Sequence, residues 1–227
     1  MIPLRDDQPT FSTPFINYFL IVLNVLVFLW ELSVGTRTPS LYALAIVPDH
    51  TVAVLTGHSY DGFGTAILPL FTSMFLHGDF FHLAGNMLFL WIFGDNVEDY
   101  LGHFRYLLFY LAGGLAAAAA HILLNAASRV PTIGASGAIA GVMGAYFILY
   151  PKARVLVWFP PIFFFRVPAW LVLGYWFVLN FVYGTLADLG GAAKGIAFWA
   201  HVGGFVAGVL MIKLFSERPR RQRYGAW

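Results

Sequence analysis

Six stretches of the chain, at about 14–34, 80–94, 106–127, 135–150, 167–187 and 195–215, are apolar and nearly free of charge. A helix that crosses a bilayer needs roughly 20 mostly apolar residues. These stretches therefore read as six transmembrane spans of an all-α polytopic membrane protein, although the second and fourth are short for a square crossing. Composition agrees, with 59% hydrophobic and 11% charged residues among 227, against about 25% charged in a soluble domain. Mean hydropathy is +0.74. The expected organisation is one membrane domain over 1–227, with a long first loop at 35–76 and a basic C-terminal tail at 216–227.

Within the long loop, "LYALAIVP" and "AILPLFTSMF" are too short to span and read as interfacial pieces. "WFPPIFFFRVPAW" is apolar but broken by Pro160, Pro161 and Pro168, and reads as an interfacial loop leading into the fifth span. The amino terminus lacks the pattern of a cleavable signal peptide, and the first apolar run reads as retained. There is no cysteine, which excludes disulfides and thiolate chemistry.

Charge orients the spans. With both termini cytoplasmic, ten of the 13 Lys and Arg residues fall inside, leaving Arg37, Arg129 and Lys194 outside, the expected positive-inside bias. Even-numbered spans then begin at the outer face, and their first turns carry His82, Ser136 and His201.

Polar side chains inside a span are costly and face the protein interior. His82 and Asn86, four apart, share a helix face. In "AHVGGFVAGV", His201, Gly204 and Gly208 lie on one side of the sixth span. "GASGAIAGVMGAY" offers small residues at Gly137, Gly141 and Gly144, which let a neighbouring backbone come close. A serine hydroxyl needs a base within about 2.6–3.2 Å to become a nucleophile, and His201 is the candidate base for Ser136. Asn86, His82 and the amide of Ser136 at a helix start are candidate oxyanion donors. No third member is evident; Asp79 and Asp188 are the nearest outer carboxylates, so a Ser–His dyad is expected. The bland readings stand beside these: GxSG as packing, and His82 with Asn86 as interhelical hydrogen bonds. The chain has no His-Glu-x-x-His motif and no pair of intramembrane aspartates, and no metal or cofactor is expected.

At these residues the sequence resembles the rhomboid intramembrane serine proteases. The likeness rests on "MFLHGDFFHLAGNMLFLWIFGDNVEDYLG", "GASGAIAGVMGAY", "IFFFRVPAWLVLGYWF" and "AFWAHVGGFVAG", in that order. It implies a rhomboid-like six-helix bundle in which Ser136 is the nucleophile, His201 the base, and His82 with Asn86 the oxyanion site. It also implies cleavage of single-pass or other transmembrane protein substrates near the outer face of the lipid bilayer, without nucleic acid or cofactor. The fifth span and the loop at about 188–195 would form gate and cap, and His77 and Glu98 match family positions read as structural. Two positions depart from the family. Ala140 stands where many members place an aromatic residue that supports the histidine, and the first loop lacks a Trp-Arg pair. A rhomboid-like pseudoprotease and a small transporter are the competing classes. Short termini point to a prokaryotic cell membrane.

Overall fold

The structure is a computed structural model and describes residues 1–35, 38–188 and 197–215. The expected cap loop, the basic tail, Arg37, Lys194 and the first residues of the sixth span lie outside the described residues. The elements in chain order are β1 (Ile2–Arg5), α1 (Phe15–Val34), α2 (Pro39–Tyr42), α3 (Pro48–Leu55), α4 (Gly64–Thr72), a 3₁₀ turn (Ser73–Phe75), α5 (Phe80–Leu101) and α6 (His103–Leu124). After them come α7 (Ser136–Leu149), β2 (Arg154–Phe159), β3 (Phe163–Pro168), α8 (Ala169–Asp188) and α9 (Phe198–Phe215). Among the described residues, four helices are long and apolar enough to cross a membrane: α1, α6, α8 and α9.

The short helix α7 is the axis of the molecule. Every residue from Gly137 to Tyr146 is buried, because α5, α6, α8 and α9 surround it. Helices α7 and α9 meet backbone to backbone. A Cβ added at Gly204 would lie 2.1 Å from the Gly137 carbonyl oxygen, and one at Gly208 would lie 1.9 Å from that of Gly141. Gly144 makes the reciprocal contact, 2.1 Å from the Phe205 carbonyl oxygen. Only hydrogen fits at these positions, so the glycines set the interhelical distance.

Helix α5 runs past the expected end at residue 94 to Leu101, because the polar residues there have partners. The buried Glu98 carboxylate accepts hydrogen bonds from the backbone amides of Ile16 (3.0 Å) and Asn17 (2.7 Å). A carboxylate at the first turn of α1 satisfies amides that the helix itself leaves open. The structural reading of Glu98 fits this contact.

The expected loop at "WFPPIFFFRVPAW" is instead a β-hairpin. Strands β2 and β3 pair antiparallel, and β1 adds to β2, giving a three-stranded sheet in the order β1-β2-β3. Prolines are tolerated because Pro160 and Pro161 occupy the turn and Pro168 the strand end, where the ladder needs no donor. The alternation that signals a strand lies just upstream, where Val155 and Val157 are fully buried between more exposed neighbours.

The first loop also holds more structure than interfacial pieces. Ile46 exchanges backbone hydrogen bonds with Thr132 (3.0 and 2.7 Å), and Asp49 accepts from Arg129 Nε at 3.0 Å. These contacts tie the loop to the segment before α7, without a Trp-Arg pair.

Candidate active site

Ser136 is the first residue of α7, where the opening amides have no intrahelical acceptor. At 14 residues, α7 is about 21 Å long, shorter than the roughly 30 Å hydrocarbon core. Across the glycine seam, α9 brings His201 into register, with Nε2 2.7 Å from Ser136 Oγ. Both side chains are half-buried.

The other imidazole nitrogen is engaged too. His201 Nδ1 lies 2.6 Å from Asn180 Oδ1, on α8. The orientation of that amide is fixed because Asn180 Nδ2 donates to the Trp176 carbonyl at 2.8 Å. An oxygen facing His201 requires the proton on Nδ1, leaving Nε2 with a free lone pair toward the serine hydroxyl. The expected bare dyad is thus extended by an amide. Asp79 does not fill this place: it caps α5, its carboxylate accepting from the His82 amide at 2.9 Å. The Asp188 side chain lies outside the described residues.

Trp176 also touches His201 directly. Its ring lies 5.5 Å from that of His201, tilted by 37°, so the aromatic support missing at Ala140 comes from α8. Sequence reading missed both residues, although a signal was present. Asn180 is a polar residue in the apolar run "LVLGYWFVLNFVYG", and four residues separate it from Trp176, on the same helix face.

His82 and Ser136 border one small space. Gly134 adopts φ +129°, and a Cβ there would lie 2.7 Å from His82 Nε2 and 3.6 Å from Ser136 Oγ. A side chain at residue 134 would fill the place where an oxyanion could sit, a requirement the sequence reading did not assign. The Gly134 amide is held by the Ser73 carbonyl at 2.8 Å. Asn86 is buried, with Nδ2 2.9 Å from His77 Nε2. One amide hydrogen is thereby used and one remains. His77 is fully buried, and its backbone amide donates to the Glu31 carboxylate at 3.0 Å. His77 thus supports Asn86 from behind, in keeping with a structural role.

Beside Ser136 lies a cavity of about 30 Å³, whose polar lining includes Ser73, His121 and Thr132. Thr132 Oγ1 and His121 Nε2 are 2.9 Å apart. A space of this volume with several polar partners accommodates water.

Comparison with known proteins places these features in a family. The family model for the rhomboid domain matches residues 65–218. Rhomboid protein 1, mitochondrial, of Saccharomyces cerevisiae is 31% identical over 218 residues, covering 91% of this chain and 55% of that protein. The presenilin-associated rhomboid-like protein, mitochondrial, of Bos taurus is 32% identical over 141 residues, covering 56% of this chain and 36% of that protein. The rhomboid protease GluP of Bacillus subtilis is 36% identical over 143 residues, covering 62% and 25%. The chain spans about half or less of the length of these relatives. The mitochondrial names of the yeast and bovine proteins overturn the expectation of a prokaryotic cell membrane, which rested only on short termini. The length of a terminus does not specify a compartment. The match to the rhomboid domain runs from α4 through α9 and takes in Ser136, His201 and the α8 residues that hold the imidazole: the chain belongs to the rhomboid family.

Proposed function

We propose that this protein is an intramembrane serine endopeptidase that hydrolyses peptide bonds of transmembrane proteins near the outer membrane face. The observation that carries this reading is the 2.7 Å contact between Ser136 Oγ and His201 Nε2. Helices α5 and α7 join the four long apolar helices as spans of a single six-span membrane domain with both termini on the positively charged side. The names of the yeast and bovine relatives support a mitochondrial membrane as the compartment.

In the reaction, Ser136 Oγ attacks the scissile carbonyl carbon while His201 Nε2 takes the hydroxyl proton. The carbonyl oxygen becomes an oxyanion in the space that Gly134 leaves open. Donors for it are the first-turn amides of α7, the His82 ring and the free amide hydrogen of Asn86, each worth roughly 10²–10³ in rate when preorganised. The imidazolium then returns its proton to the departing amine, leaving an acyl ester on Ser136. A water, held in the polar cavity beside the serine, attacks the ester with His201 again as base. Asn180 keeps the imidazole in the tautomer that can accept, and Trp176 limits the tilt of the ring.

Treatment of the detergent-solubilised protein with a fluorophosphonate tests the reading. The expected result is an adduct on Ser136 that vanishes in Ser136→Ala and falls steeply in His201→Ala. A folded protein that takes no label would overturn it.

A further inference from the structure

At the end of the bundle opposite Ser136, the three-stranded sheet presents two different faces. Val155 and Val157 point into the core and are fully buried. The alternate residues of β2 point outward, and cross-strand neighbours share their face. Pairing places Ile2, Trp158 and Phe164 in one outward row, and Arg5, Leu156 and Arg166 in the next. Arg154, two residues before Leu156, extends the same face.

The register shift between Pro3 and Arg5 is essential to this arrangement. Without it, Leu4 would stand opposite Leu156 and Arg5 would turn toward the core. A bulge that re-aims one side chain is a common device next to sites. Here it adds a third guanidinium to a face that would otherwise carry two.

The three arginines line a cavity of about 240 Å³ together with Asp6, Asp7 and Leu156. Both carboxylates are already engaged. Asp6 accepts from the Tyr146 hydroxyl, and Asp7 accepts from the Arg154 backbone amide at 2.7 Å. Among the described residues, no carboxylate forms an ion pair with the side chains of Arg5, Arg154 or Arg166. The adjoining apolar row is open, with Ile2 38% and Phe164 57% exposed, and the Trp158 and Phe164 rings stack at 6.5 Å. Charge beside exposed aromatic surface matches the boundary between headgroups and acyl chains.

We propose that this face of the sheet binds the headgroup of an anionic phospholipid, with Arg5, Arg154 and Arg166 around the phosphodiester and the acyl chain along Ile2, Trp158 and Phe164. The proposal does not depend on the reaction at Ser136. Juxtamembrane Lys and Arg residues recognise anionic leaflets through the same charge complementarity, and arginine forks match phosphate geometry.

The test uses the full chain in neutral detergent, titrated with phosphatidylglycerol or phosphatidylcholine, with bound lipid counted by native mass spectrometry. The expected result is a clear preference for phosphatidylglycerol, weakened about fivefold in Arg166→Gln and about 30-fold in Arg5→Gln/Arg166→Gln. The C-terminal arginines stay in every variant, so their contribution cancels. Far-ultraviolet circular dichroism and fluorophosphonate labelling should match the parent, which separates lost binding from lost folding. An unchanged preference in the double variant, or equal retention of the two lipids by the parent, would overturn the site. If inorganic phosphate displaces phosphatidylglycerol at equal concentration, the cavity is a free-anion site and the lipid assignment fails.

Discussion

Asn180 Oδ1 lies 2.6 Å from His201 Nδ1, so the imidazole that faces Ser136 is held from a third helix. Helix α8, which supplies that hold, buries only 28% of its apolar window, against 39% for α6. The position of the His201 ring thus depends on a helix with most of its surface outside the bundle core.

Asn180→Ala should lower kcat by about 10–10²-fold through misplacement of the imidazole, with KM changed by less than about twofold. Asn180→Asp should restore much of kcat and move the acid limb of the kcat/KM profile to higher pH, because a carboxylate stabilises the imidazolium. An Asp variant with the parental pH profile would show that residue 180 does not touch the base.

Trp176→Phe should keep most of the activity and Trp176→Ala should lower it by about 2–10-fold, since an aromatic contact contributes about 0.5–1.5 kcal/mol beyond burial. Moving the support to the family's usual position should fail. Ala140 is fully buried, so Ala140→Tyr should destabilise by about 1–3 kcal/mol through overpacking. Thermal midpoints read alongside labelling rates separate the two effects.

Gly208→Ala should abolish fluorophosphonate labelling. Its new methyl would meet the Gly141 carbonyl at 1.9 Å, and backbone cannot yield as a flexible side chain can. The helix-propensity gain of about 1 kcal/mol is smaller than the cost of forcing α7 and α9 apart. Gly85→Ala is the control: nothing lies within 4 Å of a Cβ there, so labelling should persist and stability should hold or rise.

Asn86→Ala should reduce turnover by about 10–10³-fold while the bundle stays folded. Asn86 also donates to His77, so unchanged helix content must accompany the loss. Unchanged turnover would remove Asn86 from the oxyanion site.

Burial pushes the Asp6 carboxyl up from 3.8 to about 6. A carboxyl raised on folding holds its proton more tightly in the folded state. Its contribution to stability is therefore complete below about pH 4 and lost as pH rises through about 6. The thermal midpoint of the parent should fall across that window relative to Asp6→Asn, in which the change disappears.

Much of the site was legible in one dimension because each signal was local. His82 with Asn86, GxSG, and His201 with its glycines each lie within one helix, and helical periodicity states which side chains share a face. The positions of the four long apolar helices, α1, α6, α8 and α9, followed from hydropathy for the same reason. The sheet was less legible: three prolines obscured a hairpin whose alternation is confined to a few residues, and its third strand comes from the other end of the chain.

The sequence by itself determined that six apolar runs must be helical or buried, and that small residues stand wherever α7 needs a close neighbour. Which polar residue would meet His201 was decided only by tertiary structure. Asp79 and Asp188 were the nearest outer carboxylates, yet Asp79 caps its own helix, while Asn180 arrives from α8 with Trp176 one turn away. Contacts between helices depend on crossing position and rotation, which are set by the packing of several elements at once and by no single stretch of chain.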